Sequence, residues 1–266
     1  MSGAVLLEIA ASVASVTLSH PARFNAMSRA MWRELRIVFA GIQRNTELRC
    51  VVIAGQDGHF CAGGDISEYP DFRFQESSLR DFHENDVWGG LQAMLDCDVP
   101  IVARIAGNCM GAGLEIASCC DIRIAAESAK FGAPIARLGF PMAPREAALV
   151  TAALGELTAR EMLLEAATFS ASEMKARGFL SRVLADNGAA AGEARASAAR
   201  IAALAPQAAR LNKQTLRALN RHAAIGPSQE ALSLAVANAY AYADSPEHRE
   251  GIHAFLEKRE SAFFKP

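Results

Sequence analysis

Residues 101–123 read IVARIAGNCMGAGLEIASCCDIR. The apolar run at the start of this stretch predicts a buried strand, the glycine-rich segment 107–113 predicts a turn, and the apolar residues after it predict a short helix. Glu115 is the only charged residue from position 105 to position 120. A strand, a glycine turn and a helix in this order expose backbone N–H groups at the helix N-terminus. The stretch therefore predicts an α/β unit that combines backbone donors with one carboxylate.

Glu115 supports two interpretations. The helix dipole favours a carboxylate in the first turn of a helix, which would be a purely structural role. Its apolar neighbours Leu114, Ile116 and Ala117 would instead remove water from the carboxyl group and raise its pKa, which suits proton transfer. The residues of this stretch leave both interpretations open.

Strand and helix patterns alternate through the first half of the chain. Residues 13–18 (VASVTL) alternate apolar and polar side chains, which is typical of a half-buried strand. The apolar spacing over 28–43 predicts a helix with Ser28 as its N-cap. The other elements predicted here are strands at 50–54, 101–105 and 122–125 and a helix within 78–95. This alternation favours an α/β fold.

The last third of the chain has a different pattern. From residue 157 it is rich in Ala, Arg and Glu and has helical periodicity. A helix is predicted at 228–243, and Asp244-Ser245-Pro246 is predicted to begin the final helix, because proline suits the first helical turn. We therefore place a boundary near residue 200.

Composition limits the classes of protein that fit. The chain has 266 residues, of which 51% are hydrophobic, and a formal net charge of −2, which predicts neither a nucleic-acid nor a membrane surface. It has no uncharged apolar span of about 18 residues, and its first ten residues lack the basic region of a secretory signal peptide. Six cysteines without a CxxC pair favour a reduced, cytoplasmic compartment. Six histidines without ligand spacing predict no metal site.

A second glycine turn follows the predicted strand at 50–54. It reads HFCAGGDI over residues 59–66, and its small side chains would let a ligand approach the backbone closely. Asp65 would then either line that ligand site or simply cap the next helix. Neither glycine turn matches GxGxxG, which disfavours a nicotinamide-dependent dehydrogenase.

Five segments carry a resemblance that spans nearly the whole chain. They are PARFNAM (21–27), FCAGGDI (60–66), GNCMGAGLE (107–115), CDI (120–122) and EGIHAFLEKR (250–259). Together they resemble the crotonase (enoyl-CoA hydratase/isomerase) superfamily. The resemblance implies an α/β fold with a crotonase-type spiral of ββα units in residues 1–200, and a C-terminal α-helical trimerisation region in residues 201–266. It also implies an acyl-CoA substrate, no cofactor because coenzyme A is part of that substrate, and a homotrimer or a dimer of trimers.

The same resemblance implies roles for individual residues. Two backbone N–H groups bind the thioester oxygen in this family, and we place them at Ala62 and Ala112, where they would stabilise the charge of an enolate. Glu115 matches a catalytic glutamate of the family and would be the acid/base. The positions expected to contact coenzyme A or the acyl group are Arg23, Ala26, Gly63, Gly64, Asp65, Ile66, Ile135, Phe255 and Lys258.

Three of these positions have a simpler alternative. Arg23 would bind a phosphate of the coenzyme or be an ordinary solvated arginine. Phe255 and Lys258 would lie near the nucleotide pocket of a neighbouring subunit. Otherwise they would belong to an amphipathic helix with a packed phenylalanine and a solvated lysine.

One position departs from the family pattern. Ile135 stands where enoyl-CoA hydratases have their second glutamate, and isoleucine can neither activate water nor deliver a proton. Arg145 or Glu146 would supply a replacement charge or be ordinary first-turn helix residues. Arg137, two residues from Ile135, would share its face if that segment is extended. It would be either a carboxylate binder or a surface residue.

Three functions follow from this pattern. The first is a hydratase or hydratase-lyase of the family that uses Glu115 as its single acid/base. The second is a crotonase-fold protein that binds acyl-CoA with little turnover, which Ile135 favours. The third is a coenzyme A thioester hydrolase, for which no nucleophile or water-orienting base is identified.

Overall fold

Two β-sheets form the framework of the chain. The computed structural model describes residues 3–223, 240 and 242–261. The strands are β1 (Ala4–Ala10), β2 (Val13–Ser19), β3 (Cys50–Gly55), β4 (Ile101–Ile105), β5 (Asn108–Met110), β6 (Ile122–Ala126), β7 (Lys130–Gly132), β8 (Thr168–Ser170) and β9 (Arg182–Leu184). The large sheet has the order β1-β2-β3-β4-β6-β9 and the small sheet the order β5-β7-β8. β1 pairs antiparallel with β2, whereas β2, β3, β4, β6 and β9 run parallel.

Helices connect the parallel strands, as such strands require. They are α1 (Arg29–Arg44), α2 (Glu76–Asp81), α3 (Trp88–Leu95), α4 (Ala112–Ser118), α5 (Pro144–Leu154), α6 (Glu156–Leu164), α7 (Ala171–Ala176), α8 (Asn187–Ala202), α9 (Pro206–Ala223) and α10 (Pro246–Leu256). A π-helical turn, Phe82–Val87, joins α2 to α3. Short 3₁₀ turns lie at Pro21–Arg23, Ile66–Asp71 and Pro134–Leu138. No helix in the described ranges is both long and apolar enough to cross a bilayer.

Helices cover both faces of the large sheet. Val51 and Ile53 of β3 belong to the main core together with Trp32 of α1. Val102 and Ile124, on the neighbouring strands, point the other way and pack in a second cluster with the alanines of α8. Successive side chains of a strand point to opposite faces, so strands covered on both sides read as continuous apolar runs.

The sequence patterns of the first half are confirmed, with small shifts at the ends. Ser28 caps α1 and accepts a hydrogen bond from the Met31 N–H, and Ser245 caps α10 in the same way. The helical interpretation of the chain from residue 157 onward is wrong in part, because β8 and β9 lie there. These strands have only three residues each, too few to show a period of two. Most of the helix predicted at 228–243 lies outside the described residues.

The start of α4 is held close to the second glycine turn, and this close approach generates a prediction. A Cβ atom at Gly113 would lie 2.6 Å from the backbone oxygen of Cys61, whereas a Cβ at Gly192, inside α8, would have no neighbour within 4 Å. We expect Gly113→Ala to lower the free energy of unfolding by roughly 2 kcal/mol. Gly192→Ala, the control, should raise it by about 1 kcal/mol because alanine favours a helix. Urea unfolding measures both, and a Gly113→Ala variant as stable as the original chain would contradict the close packing.

Candidate active site

Backbone hydrogen bonds join the two glycine turns. The Cys61 N–H donates to the Asn108 oxygen at 2.8 Å, and the Met110 N–H donates to the Cys61 oxygen at 2.9 Å. The turns then approach so closely that a Cβ at Gly111 would lie 3.7 Å from the Gly63 Cα. Both turns consequently line the same cavity, which has a volume of about 350 Å³.

The glycine turn at residues 107–113 presents a free backbone donor at the N-terminus of α4. Gly111 has φ 46° and ψ −109°, a conformation that glycine adopts without steric strain. Its N–H donates to the Gly132 oxygen at 2.9 Å. Ala112 is the first residue of α4, and its N–H has no acceptor among the described residues. Ala112 lines the cavity, so its N–H is a candidate donor to a ligand there.

The expectation for Ala62 is wrong. Ala62 lies on the cavity wall, but its N–H already donates to the Phe24 oxygen at 3.0 Å. A donor that is satisfied within the fold is not available to a ligand. The direction of this N–H depends on pairing with the segment around Phe24, which a local motif does not show.

The free donor of the other glycine turn, residues 59–66, is at Gly64. On one side, the Met27 N–H donates to the Gly63 oxygen at 2.8 Å, and the Asp65 N–H donates to the Met27 oxygen at 2.9 Å. Backbone groups alternate in direction along an extended segment, so the Gly64 N–H points away from Met27. It has no acceptor among the described residues, and Gly64 lines the cavity.

Glu115 is buried on the wall of this cavity. It is 9% exposed and lies in the first turn of α4. Its pKa is raised to about 8, mainly by burial and also by the negative charge of Glu146, while the positive charge of Arg73 opposes the rise. The desolvated, functional interpretation of Glu115 is therefore favoured over the structural one, because the helix dipole would lower this pKa.

A chain of hydrogen bonds links Arg73 to Glu146 through His83. An Arg73 Nη1 hydrogen points at His83 Nε2 over 3.3 Å, and His83 Nδ1 lies 3.0 Å from a Glu146 carboxylate oxygen. Because arginine can only donate, Nε2 accepts and Nδ1–H donates to Glu146. Burial lowers the pKa of His83, so this ring is neutral in the network. No local sequence motif contains Arg73 or His83, so the sequence alone predicts neither residue as part of the site.

Arg73 is held by further neutral groups from the C-terminal part of the chain. Its Nε donates to His248 Nε2 at 3.4 Å and its Nη2 to the Tyr242 hydroxyl at 3.2 Å. The guanidinium carbon lies 4.4 Å from the ring centre of Tyr69 and 4.1 Å from that of Phe140. The guanidinium is thus fixed in position on the cavity wall.

Among the charged residues considered as replacements for the second glutamate, Glu146 is the one whose charge changes the pKa of Glu115. Glu146 is 2% exposed and raises the pKa of Glu115. Arg145 forms an ion pair with Glu84 at 3.1 Å and does not line the cavity. Ile135 and Arg137 both line the cavity, but their segment is a 3₁₀ turn and not an extended strand. The condition for the shared-face argument, an extended segment, is therefore not met, although Arg137 does lie on the same cavity as Ile135.

The structure brings only some of the expected coenzyme-contacting residues to the cavity. The expected residues that lie on its wall are Gly63, Gly64, Ile66, Ile135 and Phe255. Phe255 is 53% exposed and lies on the cavity of its own chain.

The remaining expected residues lie elsewhere. Asp65 is buried and caps the Ile66–Asp71 turn, because its side chain accepts a hydrogen bond from the Ser67 N–H. Ala26 is buried away from the cavity, and Arg23 and Lys258 are exposed. For Asp65 the structure therefore favours the capping alternative.

The raised pKa of Glu115 predicts a pH-dependent change in stability. The carboxyl group has a pKa of about 8 in the folded chain and an ordinary value of 4.5 in the unfolded chain, so folding disfavours its ionisation. This destabilisation is absent below pH 4.5, grows between pH 4.5 and 8, and is complete above pH 8. We expect the urea midpoint of Glu115→Gln to rise relative to the original chain across this range. Glu47→Gln, at an exposed position, is the control. A difference in urea midpoint between Glu115→Gln and the original chain that does not change with pH would contradict the raised pKa of Glu115.

Known proteins resemble this chain in fold and in sequence. The pattern of the enoyl-CoA hydratase/isomerase family matches residues 8–266. The chain is 32% identical to a protein of Mycobacterium bovis named as a probable enoyl-CoA hydratase, over 97% of each chain. It is 29% identical to a short-chain-enoyl-CoA hydratase of Clostridium acetobutylicum, over 98% of this chain and 97% of that one. A crystal structure of an enoyl-CoA hydratase/carnithine racemase from Magnetospirillum magneticum matches with a TM-score of 0.80 and 33% identity, over 99% of this chain and 96% of that one. The chain belongs to the enoyl-CoA hydratase/isomerase family and has its crotonase fold.

Proposed function

We propose that this chain is an enzyme that adds water to the double bond of an enoyl-CoA thioester. The observation that carries the proposal is the convergence of three groups on one cavity: the free N–H groups of Gly64 and Ala112, and the buried carboxyl group of Glu115. The names of the relatives, which include enoyl-CoA hydratases, support the same reaction.

The two backbone donors form the oxyanion hole. When water attacks the β-carbon of an enoyl thioester, negative charge moves through the α-carbon to the thioester oxygen. The N–H groups of Gly64 and Ala112 stabilise that charge, and fixed donors of this kind lower a reaction barrier strongly. Both groups belong to turns joined by the Cys61 hydrogen bonds, so they need no rearrangement during the reaction.

Glu115 moves the proton in both halves of the reaction. Its ionised form takes a proton from water while the water oxygen bonds to the β-carbon. The resulting neutral carboxyl then returns a proton to the α-carbon as the enolate collapses. The elements of water are thereby added across the double bond, and Glu115 ends in its starting form. Its raised pKa keeps the neutral form accessible near neutral pH.

Glu146 acts on this step by its charge. It lies behind His83, which lines the cavity, whereas Glu146 itself does not. Its negative charge favours the protonated form of Glu115. We infer that Glu146 tunes the proton affinity of Glu115, while Ile135 occupies the place of the second glutamate.

A second candidate function is acyl-CoA binding with little turnover, which Ile135 on the cavity wall favours. Cleavage of a carbon–carbon bond after hydration and hydrolysis of the thioester are outcomes of the same test, because each releases a different product. For assembly, we propose that residues 201–266 mediate a homotrimer or a dimer of trimers. A monomeric mass by light scattering would contradict that assembly.

The function is tested by turnover of crotonyl-CoA, 3-enoyl, aromatic and saturated thioesters, with products identified by mass. We expect Glu115→Gln to abolish hydration. Ala112→Pro should lower kcat by about 10²- to 10³-fold, because proline removes the N–H but is tolerated at the first helical position. Ala112→Ser keeps that N–H and is the control. Binding without product in every case would instead support the second candidate function.

The pH profile tests the role of Glu146. With a pKa of about 8, roughly one Glu115 carboxyl in ten is ionised at pH 7, so kcat/KM should rise with pH and level off above about 8. Glu146→Gln still accepts the His83 hydrogen bond but removes the charge, so the rising limb should move to lower pH. Glu84→Gln is the control, since Glu84 does not contribute to the pKa of Glu115. If kcat/KM of Glu146→Gln rises over the same pH range as that of the original chain, Glu146 does not raise the pKa of Glu115.

A further inference from the structure

Arg73 is a buried cation whose hydrogen-bond partners are all neutral. It is 1% exposed and lines the cavity. Buried charges are normally paired with an opposite charge, yet Arg73 forms no ion pair with any carboxylate of the described residues. Its acceptors are the imidazoles of His83 and His248 and the hydroxyl of Tyr242.

The geometry of Arg73 leaves part of its donor capacity unused. A guanidinium has five N–H groups, and three of them donate to the histidines and the tyrosine. The rings of Tyr69 and Phe140, at 4.4 and 4.1 Å, pack against it and fix its orientation. The other two N–H groups, one on Nη1 and one on Nη2, have no acceptor among the described residues. A guanidinium can donate two such groups to the two oxygens of a carboxylate.

The charges on the cavity wall favour an anion. Among the described residues on the wall, Arg73 and Arg137 carry positive charge and Glu115 carries the carboxyl group. Glu115 is mainly neutral at pH 7 because burial raises its pKa to about 8. Glu146 reaches Arg73 only through His83 and is not on the wall. The groups that a bound molecule meets therefore carry a net positive charge, in surroundings that are otherwise largely apolar.

We propose that the cavity selects acyl-CoA thioesters whose acyl group ends in a carboxylate, and that Arg73 binds this carboxylate. The inference rests on the proposed function, because it requires an acyl-CoA in this cavity. It adds the chemical class of the acyl group. The apolar side chains of Val87, Leu138 and Met142 on the same wall would contact the methylene groups between the thioester and the terminal carboxylate.

Two unreactive ligands separate this inference from catalysis. Glutaryl-CoA and pentanoyl-CoA have five-carbon acyl groups and no double bond, and they differ in the terminal carboxylate. By calorimetry, the original chain should bind glutaryl-CoA at least about 10-fold more tightly. Arg73→Gln should remove this preference with little change for pentanoyl-CoA. Arg145→Gln, which removes an arginine outside the cavity, is the matched control and should keep the preference.

A second measurement needs no variant, since Arg73 also joins several elements and its replacement could unfold the chain. The mono-amide of glutaryl-CoA has the shape of glutaryl-CoA without its terminal charge, and it should bind the original chain about as weakly as pentanoyl-CoA. Equal affinity for glutaryl-CoA and pentanoyl-CoA, or an unchanged preference in folded Arg73→Gln, would overturn the inference and leave the proposed function standing. Failure of every thioester to bind would overturn both.

Discussion

The backbone hydrogen bonds between Cys61 and the segment 108–110 are the contact on which the site depends. They join two turns that follow different strands of the large sheet. Each turn contributes one N–H without an acceptor among the described residues, at Gly64 and at Ala112. The oxyanion hole that we propose therefore requires both turns. The small residues of these turns are required because two backbones approach each other there. A Cβ atom at Gly113, for example, would collide with the Cys61 oxygen. Close packing of main chain against main chain thus positions the proposed chemistry.

The sequence predicted the parts of the site that lie within one short segment. Ala112 and Glu115 are three residues apart, and the order of strand, turn and helix sets their positions. Ala62 was predicted wrongly as a donor because the direction of an N–H depends on a partner segment distant in sequence. Arg73 was not predicted at all, because its partner His248 is 175 positions away. Contacts of that range have no local pattern, so the polar wall of the cavity emerges only from the fold.

Two opposing electrostatic effects act on Glu115, and their magnitudes decide its state. A carboxylate in the first turn of a helix gains up to about 1 kcal/mol from the helix dipole when exposed, which favours the ionised form. Burial acts in the other direction, and together with the charge of Glu146 it raises the pKa to about 8. Desolvation therefore outweighs the dipole. The fold gives up stability at this position to keep a carboxyl group that exchanges protons near neutral pH.

The hydrogen bonds of Arg73 have a consequence for the order in which the molecule is completed. They connect the loop after the Ile66–Asp71 turn to Tyr242 and His248, and α10 packs so closely on the Pro134–Leu138 turn that Gly251 has no space for a side chain. During synthesis on the ribosome, the sheet strands and the glycine turns leave the exit tunnel long before these C-terminal residues. The nascent chain can therefore form its sheet and both turns while the side of the cavity next to Arg73 is still open. Residues that are made well after both turns close this cavity.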